Sequence, residues 1–340
     1  MDTSNPITSN DTKRQAEHQT RQSVVTAIPA IPLDRLRAHA CIDYVTFAAP
    51  NYRELERVQC PANWSGDGHG PCDRLTLHDP RAEDILQVVE RMGDLPVMGL
   101  EVAVDFWPQQ NVSAAERAPL LRESFVALSA RFRPEEGAMW GLGLRAAFND
   151  KKPKPFHKRL PSPEESLVYG HRGDWQSAKL YLKTLDRKRT LPPEEHRLRM
   201  ELTFQRWALF ELHLSNASHL FSFPYRSALS GMFRVVDHPV LRGDRRRSPQ
   251  RTKELEEALL RHWRAAGVGG LGLKHIPLET GELAKRALAK RAREQMPMKH
   301  VRLVRCARTS GAVQNALRQL ERRMRRFSGG SFEPHVQLSP

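Results

Sequence analysis

Three stretches of the chain alternate between apolar and polar residues at the period of a half-buried strand. In VMGLEVAVDF, Val97 to Phe106, one face carries Leu100, Val102, Val104 and Phe106, and the other Glu101, Ala103 and Asp105. In SAKLYLK, Ser177 to Lys183, the residues Ala178, Leu180 and Leu182 oppose Lys179, Tyr181 and Lys183. In RLRMELTFQ, Arg197 to Gln205, the residues Leu198, Met200, Leu202 and Phe204 oppose Arg199, Glu201 and Thr203. Shorter runs, some rich in β-branched and aromatic residues, predict further strands at Ala40 to Ala48, Arg74 to His78 and Ser166 to Tyr169. The last of these pairs with Ser177 to Lys183 as a hairpin across the turn GHRGDW.

Helical spacing appears elsewhere. Ile85, Val88, Val89 and Met92 fall on one face of a helix from Glu83 to Met92. Ser113 with Glu116 has the spacing of a capping box and opens a helix towards Phe132. Beyond Trp207 the pattern turns helical. Leu255, Leu259, Leu260 and Trp263 mark a helix over 252–266, and Val313, Leu317, Leu320, Met324 and Phe327 mark one from Gly311 to Phe327. The expected class is α+β: an antiparallel sheet packed on helices, with a basic helical C-terminal extension. The expected boundaries are a disordered tail over 1–37, an α+β body over 38–240, a basic linker over 241–251, a basic helical region over 252–328 and a tail over 329–340.

Charge sharpens this division. The chain of 340 residues has a formal net charge of +15. From Gly231 to Pro340 there are 24 basic and 10 acidic residues, whereas the first 230 hold 30 and 29. A near-neutral body therefore carries a cationic C-terminal third, which points to a polyanion, nucleic acid above all, because Lys and Arg contacts to phosphate dominate such binding. Arg245, Arg246 and Arg247, then Arg322, Arg323, Arg325 and Arg326, are the expected DNA contacts in that third. There is no apolar run long enough for a spanning helix, and the first thirty residues lack the apolar core of a secretory signal. The four cysteines form no disulfide framework. A cytoplasmic protein with reduced thiols and no membrane partner is the expectation.

If the three alternating strands share one sheet, their polar faces merge into one surface. Glu101, Asp105 and Glu201 would hold a hard divalent cation, Mg²⁺ or Mn²⁺. A tyrosine oxygen beside such an ion is placed to attack phosphorus, and Lys179 and Arg199 would hold flanking phosphates. The competing reading is an ordinary solvated sheet face lined by Glu, Lys, Arg and Thr.

The segment LVYGHRGDWQSAKLYLKTLD…HRLRMELTFQR resembles the core of the rolling-circle replication initiators of plasmids and filamentous phages. These have a glycine-containing hairpin, a strand with Tyr–x–Lys, and a strand with Arg–x–Glu about twenty residues later; LEVAVDF is similar to their upstream Asp-containing strand, and IDYVTF to their start. The resemblance covers roughly residues 40 to 240. It implies an enzyme that nicks one strand at an origin, forming a 5′-phosphotyrosine and freeing a 3′-OH. By position Tyr181 falls on the tyrosine and Lys183 on the lysine, Arg199 and Glu201 on Arg–x–Glu, and Asp105 on the upstream acid. Tyr169, on the other hairpin arm, is a rival nucleophile. The His–hydrophobic–His metal motif of the widespread nickases is missing, so the resemblance implies the carboxylate-based type. Implied partners are origin DNA, a host helicase and a second copy of the chain. The reading from another class is a DNA-binding replication or copy-control factor that does not cut.

Two other signals are weak. Cys60, His69, Cys72 and His78 match no standard zinc spacing. GVGGLG, Gly267 to Gly272, lacks a following Lys-Ser/Thr and reads as a helix-ending turn.

Overall fold

The alternating strands lie side by side at the centre of one antiparallel sheet. The computed structural model describes residues 28–49, 64–67, 74–134, 139–144, 160–169, 176–186, 189–205, 207–237, 240–241, 249–268 and 301–327. The sheet contains β1 (Leu36–Ala48), β2 (Trp64–Asp67), β3 (Arg74–His78), β4 (Val97–Pro108), β5 (Met139–Leu144), β6 (Glu165–Tyr169), β7 (Gln176–Lys183) and β10 (Arg197–Gln205). Their order is β2-β3-β1-β4-β10-β7-β6-β5. Two small ribbons stand apart from it, β8 (Leu185–Asp186) with β9 (Arg189–Thr190), and β11 (Val240–Leu241) with β12 (Val301–Arg302). The expected α+β class is the observed one.

One sheet face is apolar and covered. Ile42, Val45 and Phe47 of β1, Leu100, Val102, Val104 and Phe106 of β4, and Leu198, Met200, Leu202 and Phe204 of β10 are all buried in a single core. Helix α1 (Ala82–Met92) adds Ile85, Val88 and Val89, and helix α2 (Ala114–Ser129) adds Leu120, Leu121, Phe125 and Leu128. The predicted capping box of α2 is present, with Ser113 Oγ donating to Glu116 Oε2 at 2.6 Å. Three short helices follow β10: α3 (Trp207–Glu211), α4 (His219–Ser222) and α5 (Tyr225–Leu229).

The C-terminal helices divide the expected extension. Helix α6 (Pro249–Ala266) starts inside the stretch read as a linker and packs Leu259 and Trp263 into a separate small cluster with Val236 and Val268. It ends at Gly267, whose φ of +59° favours glycine and whose missing Cβ leaves room for the Ala130 backbone. The turn reading of GVGGLG holds at this residue; Gly269 to Gly272 lie outside the described residues. Helix α7 (Ala307–Arg325) does not stand apart: Val313, Ala316, Leu317, Leu320 and Met324 belong to the same core as the sheet. It starts four residues earlier than its apolar stripe alone predicts, and Thr309 and Ser310 in that added turn are buried. Among the described residues no helix is long and apolar enough to cross a membrane. The N-terminal tail before residue 28, the arginines 245–247, Cys60, His69 and Cys72 lie outside the described residues.

Candidate functional site

The opposite, polar face of the four central strands is built by register. In the β4–β10 pair Arg199 sits opposite Asp105, Glu201 opposite Ala103 and Thr203 opposite Glu101. In the β10–β7 pair Arg199 sits opposite Tyr181 and Glu201 opposite Lys179. The predicted merger of three polar strand faces is therefore real, yet the surface is largely buried. Glu101, Asp105, Arg199, Glu201 and Lys183 are each at most 6% exposed, too low for a solvated face.

A fourth strand completes it. Along β1 the partners run Ile42 opposite Val102 and then Tyr44 opposite Glu101, so Asp43 is an extra residue in a β-bulge. A bulge re-aims a side chain at the cost of one ladder position. Here it leaves Ile42 and Val45 on the apolar face and sends Asp43 and Tyr44 together to the polar one. The N–H of Asp79, itself in the left-handed region at φ 46°, donates to the Asp43 carbonyl at 2.7 Å and holds the bulge.

Asp43, Glu101 and Glu201 bring carboxylate oxygens within 4.8 Å of one another, the kind of group that could hold a metal ion. Asp105, expected among the ligands, lies on the same face but is engaged elsewhere. Arg199 grips it in a bidentate fork, Nε to Oδ1 at 2.6 Å and Nη2 to Oδ2 at 2.7 Å. Arg197 adds a third bond to Oδ2 at 3.0 Å while stacking on Trp107. The other end of Arg199 bonds Asp43, and its Nη1 lies 3.6 Å from Glu201. Arg199, expected to hold DNA phosphate, is thus buried and committed to three carboxylates.

The two lysines of β7 are paired as well. Lys179 Nζ lies 3.5 Å from both Glu101 and Glu201. Lys183 Nζ lies 3.4 Å from Asp43 and 3.2 Å from Asp186. The electrostatics follow from this packing. Burial, then the charge of Glu201, push the Glu101 carboxyl up to about 8, so it carries a proton at neutral pH and hydrogen-bonds to Asp43. For Asp43 burial works against ionisation, but Arg199 and Lys183 outweigh it and hold its carboxyl well below the usual range. Burial opposes the charge of Lys179 too, and Glu201 and Glu101 overcome it, raising its pKa. The thiol of Cys41, opposite Ala103, is pushed up to about 12 by burial and by Asp105 and is inert.

The two tyrosines separate cleanly. Tyr181 points to the polar face and its phenol donates to Glu201 Oε1. Burial, then the Glu201 charge, raise its pKa well above the ordinary value. Tyr169 points to the apolar face: it is 1% exposed, stacks edge-on against Phe132 and donates to the Phe132 carbonyl at 2.5 Å. Among the C-terminal arginines, Arg323 donates to the Ala40 carbonyl on β1 at 2.5 Å, Arg325 pairs with Glu321 at 2.7 Å, and Arg322 and Arg326 are exposed.

Sequence reasoning missed Asp43. Its signal lies in β1 itself, where the apolar phase shifts by one between Ile42 and Val45 with two polar residues between them.

No family model and no curated protein matches this chain. Among solved structures it is similar to a rolling circle replication initiator protein from Geobacillus stearothermophilus, at a TM-score of 0.32 and 8% identity, over 68% of this chain and 100% of the other. A likeness that distant is too low to transfer a residue or a role.

Proposed function

We propose that this chain initiates rolling-circle replication at a plasmid or phage origin in the cytoplasm, by cutting one DNA strand with Tyr181 as nucleophile. The observation that carries the reading is the hydrogen bond from the Tyr181 phenol to Glu201, one of three carboxylates gathered on adjacent strands, two of them buried. The donor set suits a hard divalent ion: all oxygen and carboxylate only. Asp43, Glu101 and Glu201 would hold it, with Mg²⁺ or Mn²⁺ the fitting choices. When bound, such an ion polarises a phosphoryl oxygen and offsets charge in the transition state.

The chain's own residues supply the rest. Glu201 presents Oε1 to Tyr181 and Oε2 to Lys179, so it is placed to take the phenol proton as the tyrosine oxygen bonds to phosphorus. The bond from phosphorus to the 3′ oxygen breaks in the same displacement, and that oxygen takes a proton from water to leave as a 3′-OH. The raised pKa of Tyr181 keeps the phenol protonated until Glu201 accepts the proton. Arg199 and Lys183 act as positioning residues, holding Asp43 ionised and in place.

The test is a nicking assay on supercoiled DNA carrying the sequence that flanks this gene, with Mn²⁺ or with chelator. Metal-dependent relaxation with protein left on the 5′ end is expected for the wild type and for Tyr169→Phe, and is expected to vanish in Tyr181→Phe. Salt-sensitive binding with no cut under any metal would refute cutting and support the second reading, a replication or copy-control factor that binds DNA without cutting. That reading is favoured by one observation, the pairing of Lys179, Lys183, Arg197 and Arg199 on that face with carboxylates.

A further inference from the structure

A second charged feature lies away from the carboxylates, between α5 and the last turns of α7. Pro224, Arg226 and Ser227 on one side and Arg318, Glu321, Arg322 and Arg325 on the other enclose a cavity of about 330 Å³. Four arginines and one glutamate are among its lining residues. Glu321 is already used twice, accepting from Arg325 Nη2 at 2.7 Å and from the backbone N–H of Arg226 at 3.2 Å. Among the described residues no ion pair joins a carboxylate to the guanidinium groups of Arg226, Arg318 or Arg322, whereas Arg325 is paired with Glu321. Like charges converging on one cavity repel unless an anion joins them.

The spacing says which kind of anion. Arg318, Arg322 and Arg325 follow one another at i, i+4 and i+7, so they stack along one face of α7. They rise about 6 and 4.5 Å apart along the helix axis, about 10 Å in all, a row of charges on the scale of successive phosphates of one DNA strand. Planar, always-charged guanidinium forks suit the oxygens of such a row of phosphates. The helix is also fastened to the strand that carries Asp43, through the bond from Arg323 to the Ala40 carbonyl. An anion gripped here would therefore be held at a fixed place relative to the carboxylate site.

We propose that this arginine-lined cavity grips consecutive backbone phosphates of duplex DNA, as a holding site separate from the carboxylate face. It reads charge and spacing, not sequence.

The test is equilibrium binding of the full chain to a short fluorescent duplex, in chelator and across a series of salt concentrations, so that cutting plays no part. Arg318 and Arg322 are exposed and outside the core, and Arg318→Gln/Arg322→Gln is expected to fold normally, as circular dichroism would check. The double variant should weaken duplex binding about tenfold near physiological salt and flatten the slope of log K against log salt by about 2. Arg91→Gln/Arg122→Gln, the same charge change placed elsewhere, should leave that slope alone. Glu321→Gln, which removes the one carboxylate, should tighten binding. Inorganic phosphate and a single strand serve as competitors. A slope unchanged in the double variant overturns the proposal. So does a slope unchanged while phosphate binds the wild type and not the variant, since the cavity is then a small-anion site. These results stand whether or not the protein cuts DNA.

Discussion

Lys179 offers the sharpest test of the carboxylate cluster. Its ammonium lies 3.5 Å from both Glu101 and Glu201, between two of the three carboxylates of the cluster. At an effective dielectric constant of about 20, the contact with ionised Glu201 has a gross attraction of about 5 kcal/mol, and that with Glu101 about half as much at pH 8, where its carboxyl is about half ionised. Most of that is offset by the cost of burying the ions, and the lysine keeps 25% of its side chain exposed, so about 3 kcal/mol is the expected loss when it is truncated. Lys179→Met keeps the aliphatic stem and removes only the charge. In chelator at pH 8 its melting temperature should fall by about 6–12 °C. Mn²⁺ at a hundred times its Kd returns about 2.7 kcal/mol, because the ion takes over the role of the ammonium. The measurement is thermal unfolding of wild type and variant across a Mn²⁺ titration, with calorimetry for the Kd. The variant should bind Mn²⁺ more tightly than the wild type, since no ammonium competes for the same oxygens. The reasoning fails if Mn²⁺ shifts neither protein, or if the deficit of the variant is as large in saturating Mn²⁺ as in chelator.

The raised pKa of Glu101 predicts a pH signature. Between the ordinary carboxylate value of 4.5 and about 8 the folded chain keeps a proton that the unfolded chain has lost, so this group's contribution to stability falls as pH rises through that window. Denaturant melts in chelator should show this loss in the wild type and not in Glu101→Gln, and the stabilisation by Mn²⁺ should be larger at pH 8 than at pH 6. Leu317→Ala, at a fully buried position of α7, should cost about 3 kcal/mol and lower the single transition of the sheet; a separate early transition would show that α7 folds apart. Gly267→Ala puts a Cβ 2.4 Å from the Ala130 Cα at a φ of +59° and should cost more than about 1 kcal/mol, measured in the same melts.

The strands with strict alternation were legible because register in a sheet with one buried face is set by the apolar pattern itself. Val97 to Phe106, Ser177 to Lys183 and Arg197 to Gln205 appear as expected, and the faces assigned to Glu101, Tyr181 and Glu201 follow from parity alone. The helix near 250 and the capping box at Ser113 were legible for equally local reasons. What parity does not carry is a break in parity. Asp43 reaches the site only because β1 slips by one residue, and a two-residue polar step inside an apolar strand has no counterpart in a period-2 pattern. The division between Asp105 and Asp43 was equally hidden. Both are acids on the polar face, and only the three-dimensional reach of Arg199 commits one to a bidentate pair. The place of α7 was hidden only in part: its apolar stripe from Val313 to Phe327 is plain in the sequence and marks a helix that docks, but a stripe does not say which surface receives it.

These two hidden features meet at one point of β1. Strand β3 pairs with β1 only from Tyr44 to Ala48, and the Asp79 N–H closes that pairing on the Asp43 carbonyl. Upstream of Asp43 the outer edge of β1 has no strand beside it among the described residues, and an open edge leaves backbone groups in need of partners. Arg323 of α7 supplies one of them at Ala40, three residues before the bulge. Asp43 therefore stands where the covering of the edge changes from β3 to α7. Its position depends on a hydrogen bond from one side and a helix from the other. A carboxylate on a continuous ladder would be fixed by its strand alone, whereas this one is fixed by the joining of two distant parts of the chain. The C-terminal helix in this sense supports the strand that carries Asp43, by its bond to the Ala40 carbonyl.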